Sequence, residues 1–584
     1  MAGSDQAPLE TARALPVVLL LVVVGAGIGL GLQVLAPGRG TDAQQSVQSA
    51  AGALPQGHLY CGITEEPTNF NPFTSGSAVA RSYVLAFTHD SLLDTDPVSG
   101  ELRAALATSW QLADDGMSMT VTLRDGVRFC DGAPLTVDDV LFTYEVARSP
   151  EIVLGSIGEG MNLVAGVERV GDTPPRLRIR FDRRYFAAPN VVGENWRVAQ
   201  KAWWLARVAE QAARDGVPVP APGQPGFGAL VMKLTSAPGP GTGPYVFADD
   251  SAAQPSWRLG RDLTLLRNAH SWQRRVQPGC WNLAGIRLLF IVDDAARHAT
   301  LHQRGVDWFS APDLTALLAS DPALAGDYRR AVYDRPSLGA YLVQWNTTRP
   351  HLRDPRVRRA LSMLFDRTTI VAKVLGGLGR PAVAFGKVDQ PGYPRDLSPP
   401  PFDPAAARRL LREAGYAPEN GTPLRVSLLA PAEAPWYRQM GELCADAARA
   451  AGVELDLQVV EFKQLLQRVA GSDWDGALMV LTMPAFGDVY ELFHSRGSRN
   501  IAHWSNSDAD QLLEQQRVEA DPARRAALLE RFHRIVAAEQ PMALLVHPLV
   551  EVLVCSHLQG AEPGPRGLWP ERFWMPPEFQ RPGP

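Results

Sequence analysis

Apolar and polar residues alternate most cleanly just past residue 100. Met117, Met119, Val121 and Leu123 interleave with Ser118, Thr120, Thr122 and Arg124, the period of two that marks a strand with one buried face. Asp114-Asp115-Gly116 before it and Asp125-Gly126 after it read as turns, because glycine accepts positive φ and aspartate bonds its own backbone. Val127-Arg128-Phe129 then reads as the return strand of a hairpin. Thr136 stands three residues before Asp139, the spacing of a capping box with Asp in place of Glu. Val140, Leu141, Tyr144 and Ala147 continue that helix at helical spacing.

The same periodicities place the other elements. His58 to Ile63 is a first short strand, and Trp196 to Ala213 reads as helix ahead of a Pro/Gly loop at Val217 to Gly228. Ile286 to Val292, a helix from Asp293 to Arg304, and Val306 to Phe309 make a βαβ unit. Leu424 to Leu429, Trp436 to Ala451, and Val453 to Val459 make a second. Tyr341 to Asn346 and Ala477 to Thr482 read as strands, and Pro541 to Cys555 as a strand region broken by Pro548. Asp-Pro pairs at Asp354-Pro355, Asp403-Pro404 and Asp521-Pro522 start helices, since Asp caps and Pro fits the first turn. The arginines after the first pair are expected on a charged helix exterior.

Leu15 to Leu35 carries no charge and is long enough to cross a hydrocarbon core of about 30 Å as a helix. It exceeds the usual apolar core of a secretory signal, so an uncleaved anchor is expected, with a cleaved signal as the alternative. Residues 36–56, rich in Gly, Ala, Gln and Ser, read as a flexible tether.

Composition narrows the function. Lys and Arg number 57 against 62 Asp and Glu, a net charge of −5, without the basic excess of a nucleic-acid binder. The 5 cysteines are scattered and show no zinc-ligand spacing; Cys444, within an apolar-periodic helix, is expected to be a buried free thiol. His298 and His302 stand one helical turn apart, but Ala299 occupies the place of the base in a zinc-protease motif, and a solvated helix face is expected. No Gly-x-Ser-x-Gly and no His-Glu-x-x-His appears.

One set of phrases goes further. Leu106-Ala107, Ser109-Trp110, Asp115-Gly116, Leu123-Arg124, Gly126-Val127, Phe129, Asp131-Gly132, Pro134, Thr136 and Asp139-Val140 fall in step with the pattern of the family 5 extracellular solute-binding proteins. Gly241-Thr242-Gly243-Pro244-Tyr245 and the Asp354 to Asp366-Arg367 stretch match further family phrases. Cys130 stands where the family often has His. The resemblance covers about His58 to Trp574. It implies an α/β, periplasmic-binding-protein-like fold, with two lobes of mixed sheets joined by a double-crossover hinge. With the N-terminal helix, the expected organisation is a cytoplasmic start at 1–14, an anchor or signal at 15–35, the tether, lobe I at 57–285 in two subdomains, lobe II at 286–540, a return to lobe I at 541–575 and a loose tail at 576–584.

The resemblance further implies a substrate-binding component of an ABC importer, not an enzyme, without cofactor or metal. Its partners would be a peptide-like or apolar solute, a permease and the membrane, with no nucleic acid, and the chain would be a monomer outside the inner membrane. Implied ligand-binding residues are Thr74, Ser75, Gly76 and Ser77 after the first strand, and Trp436, Tyr437 and Arg438 at a helix start, where Arg suits a ligand carboxylate. Met483, Phe486 and Asp488 complete the set. Peptide-binding relatives place an Asp for the ligand ammonium after the Ala477 to Thr482 strand, and here no acid stands at that place, unless Asp488 or Glu491 takes the role. An exported hydrolase, or a tethered sensor without transport, are the alternatives.

Overall fold

The computed structural model describes residues 56–581 except 153–161, 237, 248–255, 311–313, 335–337, 387, 389, 483–486 and 565–566. The Leu15 to Leu35 span and most of the tether lie outside the described residues. Among the described residues, no helix is long and apolar enough to cross a membrane.

A 13-stranded sheet forms the backbone of the molecule. Its path runs Val453–Val460, Leu424–Pro431, Gly476–Thr482, Leu338–Trp345, Met542–Cys555, Trp308–Ser310, Gln56–Ile63, Leu283–Phe290, Asp262–Arg267 and Tyr245–Phe247. Both expected βαβ units are present. Leu283–Phe290 and Trp308–Ser310 flank Gln56–Ile63 in parallel, and Asp293 caps the intervening helix by accepting from the Ala296 N–H at 2.8 Å. Leu424–Pro431 and Val453–Val460 pair in parallel from Leu424 opposite Val453, joined by the helix Pro435–Ala451. Leu59, Leu263, Leu288 and Phe309 belong to one buried cluster, while Val343, Trp345, Leu428 and Met440 belong to another. The sheet therefore has two halves with separate cores.

Met542–Cys555 joins them. Its first residues pair with Leu338–Trp345 in the second half, and Leu549 to Cys555 pair with Tyr328–Asp334 in the first. Pro548 does not break this strand, contrary to the expectation. It falls between Val546, where the Leu338–Trp345 ladder ends, and Leu549, where the Tyr328–Asp334 ladder begins. There it pairs only with Gly379 of the short strand Gly379–Pro381, a position off the central path of the sheet where a strand proline is accommodated. The chain also crosses from Asp334 to Leu338 in the opposite sense, giving two adjacent crossings.

A separate sheet of four strands, Ala107–Leu112, Ser118–Leu123, Pro175–Phe181 and Val164–Asp172, packs on its own core. Met119, Val121 and Leu123 are buried as their alternation requires. The hairpin partner, however, is Ala107–Leu112 across the Asp114-Asp115-Gly116 turn. Val127 to Phe129 instead form a small loop closed by the Arg128 to Pro134 bridge, with Val127 and Phe129 as buried plugs. The capping box of Thr136 and Asp139 is present on the helix Val137–Ala147. The other oxygen of Asp139 accepts the Lys201 N–H at 2.9 Å, tying that helix to Lys201–Asp215. The latter begins later than expected, because Trp196 to Gln200 are not helical.

Asp354, Asp403 and Asp521 all cap the helices that follow them. The arginines do not all lie outside. Arg358 is 2% exposed and donates to the carbonyls of Leu352, Arg353, Glu539 and Gln540. Arg367 likewise donates to Leu544, Ser362, Phe365 and Pro400; burial lowers its pKa to about 10. Only a guanidinium offers enough donors to satisfy so many chain-end carbonyls at once.

Candidate functional site

The first strand delivers the chain at Ile63 into a loop built by two asparagines. Asn71 Oδ1 accepts from the Phe73 N–H at 2.9 Å, and Asn71 Nδ2 donates to the carbonyls of Val231 and Leu234 at 2.8 and 2.9 Å. Ser75 Oγ donates to the Asn69 carbonyl at 2.6 Å, Asn69 Nδ2 donates to Thr74 Oγ1 at 3.3 Å, and Ser77 Oγ accepts the Ala80 N–H at 3.2 Å. The side chains of Thr74, Ser75 and Ser77 thus hold the loop itself. Gly76 is exposed, and a Cβ there would meet nothing within 4 Å. The loop leads into a π-helical turn, Ala80–Leu85, a feature that often marks functional positions. Arg81 on that turn is half-buried, burial lowers its pKa, and among the described residues no carboxylate pairs with it. Sequence reading missed Arg81, and nothing in its local pattern distinguishes it.

In the second half, Trp436, Tyr437 and Arg438 lie in the first turn of Pro435–Ala451. Tyr437 is buried edge-on against Tyr341, centroids 5.8 Å apart. Trp436 leans on Tyr437 at 6.1 Å, and its indole Nε1 is buried with no hydrogen-bond partner. Arg438 is exposed. An orphaned donor beside an exposed guanidinium can receive an acceptor-rich group.

Met483 and Phe486 lie outside the described residues. Asp488 is buried and fully engaged. Its Oδ1 accepts from Gln516 Nε2 at 2.9 Å and the Tyr490 N–H at 3.1 Å. Its Oδ2 accepts from Arg517 Nε at 2.7 Å and from the Tyr185 hydroxyl at 3.1 Å. Glu491 is engaged too. Burial alone would raise its carboxyl, but the N–H and O–H of Ser498 and the Arg517 guanidinium outweigh that and hold it low. Neither acid has an oxygen left over for a ligand ammonium in this arrangement.

Tyr185 follows the four-stranded sheet, whereas Asp488 and Arg517 belong to the second half. This loop is therefore the place where the first part of the chain reaches across. The Phe186 N–H donates to the Arg517 carbonyl at 2.8 Å, and the Arg525 guanidinium lies 4.1 Å over the Phe186 ring. Arg517 in turn covers Tyr490 at 3.7 Å. Near the crossing strands, His547 Nδ1 meets the Gly339 carbonyl at 2.6 Å and Nε2 meets the Tyr393 hydroxyl at 3.2 Å. Both crossings are thus cross-braced.

Gly241-Thr242-Gly243 proves to be a packing device. A Cβ on Gly241 would sit 1.9 Å from the Thr88 carbonyl oxygen, and Thr242 Oγ1 donates to Asp90 at 3.0 Å. His302 of the helical histidine pair bonds Asp321 at 3.0 Å. All five cysteines are free, with Cys444 buried.

Comparison with known proteins agrees with this architecture. The family described as bacterial extracellular solute-binding proteins, family 5 Middle, matches residues 101–502. The chain is 24% identical over 556 residues to the oligopeptide-binding protein AppA of Bacillus subtilis, covering 91% of this chain and 94% of that one. It is 28% identical over 528 residues to protein XP55 of Streptomyces lividans, covering 87% and 84%. Solved structures of similar fold include AppA of Bacillus subtilis in complex with a nonapeptide, with a TM-score of 0.68 at 22% identity over 90% of this chain and 100% of that one. HbpA2 from Haemophilus parasuis gives a TM-score of 0.72 at 19% identity, over 89% and 99%.

Proposed function

We propose, from the premise that the chain belongs to the family 5 bacterial extracellular solute-binding proteins, that its two halves close over a carboxylate-bearing, peptide-like or apolar solute. The protein is the extracytoplasmic substrate-binding component of an ABC importer. The observation that carries the closing motion is the long strand Met542–Cys555, which serves one half with its first residues and the other with its last. Together with the crossing at Asp334 to Leu338, it forms the pair of strands about which two rigid bodies can hinge.

The expected boundary at residue 286 moves to the crossing: lobe I comprises residues 57–334 and 549–575, and lobe II residues 338–546, because Leu283–Phe290, Trp308–Ser310 and Tyr328–Asp334 pair within the first half. The ligand site lies between the loop Thr74 to Ser77 and the turn carrying Trp436, Tyr437 and Arg438; Met483 and Phe486 are assigned to it from the sequence alone. Asp488 acts beside that site by holding the lobes together. A solute whose ammonium group must be buried is disfavoured, since an ammonium enclosed without a carboxylate carries a heavy desolvation cost. Binding without chemistry suits a site of this composition, where no nucleophile and base stand paired among its described residues. The chain acts as a monomer, held at the membrane by Leu15 to Leu35, or released from it if that segment is cleaved as a signal.

Native mass spectrometry of protein purified from its own host reads the mass of any retained solute, and small-angle scattering reads closure when that solute is restored. Arg438→Ala is expected to weaken retention by about ten-fold or more without loss of fold, because the side chain is exposed and its value would lie in a charged hydrogen bond. Retention equal to wild type, or scattering that is the same with and without solute, counts against the reading.

A further inference from the structure

Far from the crossings, three side chains of different chemistry converge. Asp307, Cys555 and His557 each offer one ligating atom, and these atoms all lie within 4.8 Å of one another. Asp307 precedes the strand Trp308–Ser310, Cys555 ends Met542–Cys555, and His557 follows two residues later. They stand beside Tyr60, upstream of the point where the first strand releases the chain toward Thr74. Cys555 is nine residues past Val546, the last residue paired with the second half's Tyr341, or roughly 30 Å along the strand. The cluster shares no residue with the proposed solute site.

The backbone around the cluster is fixed. The Cys555 N–H donates to the Asp307 carbonyl at 2.8 Å, and the Asp307 N–H to the Tyr60 carbonyl at 2.7 Å. The Tyr60 N–H holds Asp307 Oδ2 at 2.8 Å, which turns Oδ1 toward Cys555 Sγ, 3.8 Å away. His557 is stacked on Phe579 with centroids 4.3 Å apart and planes within 10°, fixing the imidazole. These are the supports a metal ligand needs: carboxylate and ring oriented by neighbours, presented from strand ends. A cavity of about 440 Å³ opens against Cys555 and His557, lined also by Arg304, Tyr328 and Arg581, with room for a water beside an ion; Asp307 lies buried behind it.

We propose that Asp307, Cys555 and His557 form a binding site for a zinc-class divalent transition-metal ion. One thiolate, one imidazole and one carboxylate are the mixed donor set that such borderline-soft ions prefer, and three ligands leave a fourth tetrahedral position for water. Calcium and magnesium, which require mostly oxygen donors, do not fit. Binding converts the Cys555 S–H to a metal–sulfur bond and releases one proton to solvent, so affinity rises with pH. Arg581 competes with the ion: its Nη2 pairs with Asp307 Oδ1 at 3.1 Å. Its other bonds, to the carbonyls of Gly305 and Arg304, let it keep its place on the tail when Oδ1 turns to the ion.

The test is a titration of the full exported chain, freed of metal by chelation, with Co²⁺ and then Zn²⁺ in competition. The expected result is one equivalent bound, a thiolate-to-cobalt charge-transfer band, and displacement by Zn²⁺. Cys555→Ser removes the band. His557→Gln, at a half-exposed position that the fold tolerates, weakens binding at least ten-fold. Arg581→Ala tightens binding by removing the competing cation. Absence of the charge-transfer band in the wild-type protein, unaltered affinity in both Cys555→Ser and His557→Gln, or weaker binding in Arg581→Ala overturns the assignment.

Discussion

The hydroxyl of Tyr185 donates to Asp488 Oδ2 at 3.1 Å across 303 residues of sequence. It joins the loop after the four-stranded sheet to the second half of the main sheet. Because a hydrogen bond to a charged acceptor contributes about 1.5–3 kcal/mol, its loss is large enough to move an open–closed equilibrium. Tyr185→Phe is expected to shift that equilibrium toward the open form by roughly ten-fold or more and to speed release of bound solute. Small-angle scattering and the solute dissociation rate measure both effects. An unchanged closed population in the variant would show that the contact follows closure and does not help cause it.

Arg517 is the centre of that seam, pairing with both Asp488 and Glu491. Arg517→Ala leaves the 6%-exposed Asp488 carboxylate without a cation, a change that costs about 3–5 kcal/mol in buried pairs. Asp488→Asn in the same chain should restore much of the loss, since it removes the stranded charge. A double-mutant cycle by chemical denaturation reads the coupling. Additive effects of the two substitutions would falsify it.

Gly241 faces the end of a helix with no room for a side chain. With its Cβ position 1.9 Å from the Thr88 carbonyl oxygen, Gly241→Ala must displace backbone, and a loss of about 2 kcal/mol or more is expected. Gly76→Ala is the matched control, since nothing lies within 4 Å there and its stability should match wild type. Thermal unfolding of the two variants side by side decides the point; equal midpoints would refute the packing role.

Acid should weaken the fold through His533. Burial lowers its pKa from 6.5 to about 4, so the unfolded chain takes up the proton first. The contribution is complete above about pH 6.5 and disappears as pH falls toward 4, amounting to about 3 kcal/mol. His89 shifts the same way, to about 3, but its neighbour Asp90, raised to about 6 by burial, titrates in the opposing sense. His533→Leu isolates the effect and should flatten the fall in stability between pH 7 and 4 by up to one proton's worth. Parallel curves for the two proteins would be the contrary result.

Much of the local structure was legible in the chain. The Thr136 and Asp139 capping box, the three Asp-Pro helix starts, both βαβ units and the burial of Met119, Val121 and Leu123 follow from spacing, because capping and amphipathic burial depend on residues a few positions apart. Family phrases added the architecture. What they did not convey was the reason for each phrase: the glycines at 241 and 243 serve close packing, and Arg358 and Arg367 serve buried carbonyls.

The sequence by itself determined the helix starts at Thr136 and the Asp-Pro pairs, the two βαβ units, and the inward faces of its most regular segments, such as Ser118–Leu123 and Pro435–Ala451. Only the tertiary structure decided which strand pairs with Ser118–Leu123, why Pro548 is tolerated, that Asp488 meets Tyr185, and that Asp307 lies beside Cys555. Those outcomes depend on partners brought together by closing long loops, and no short-range pattern records the identity of a partner hundreds of residues away.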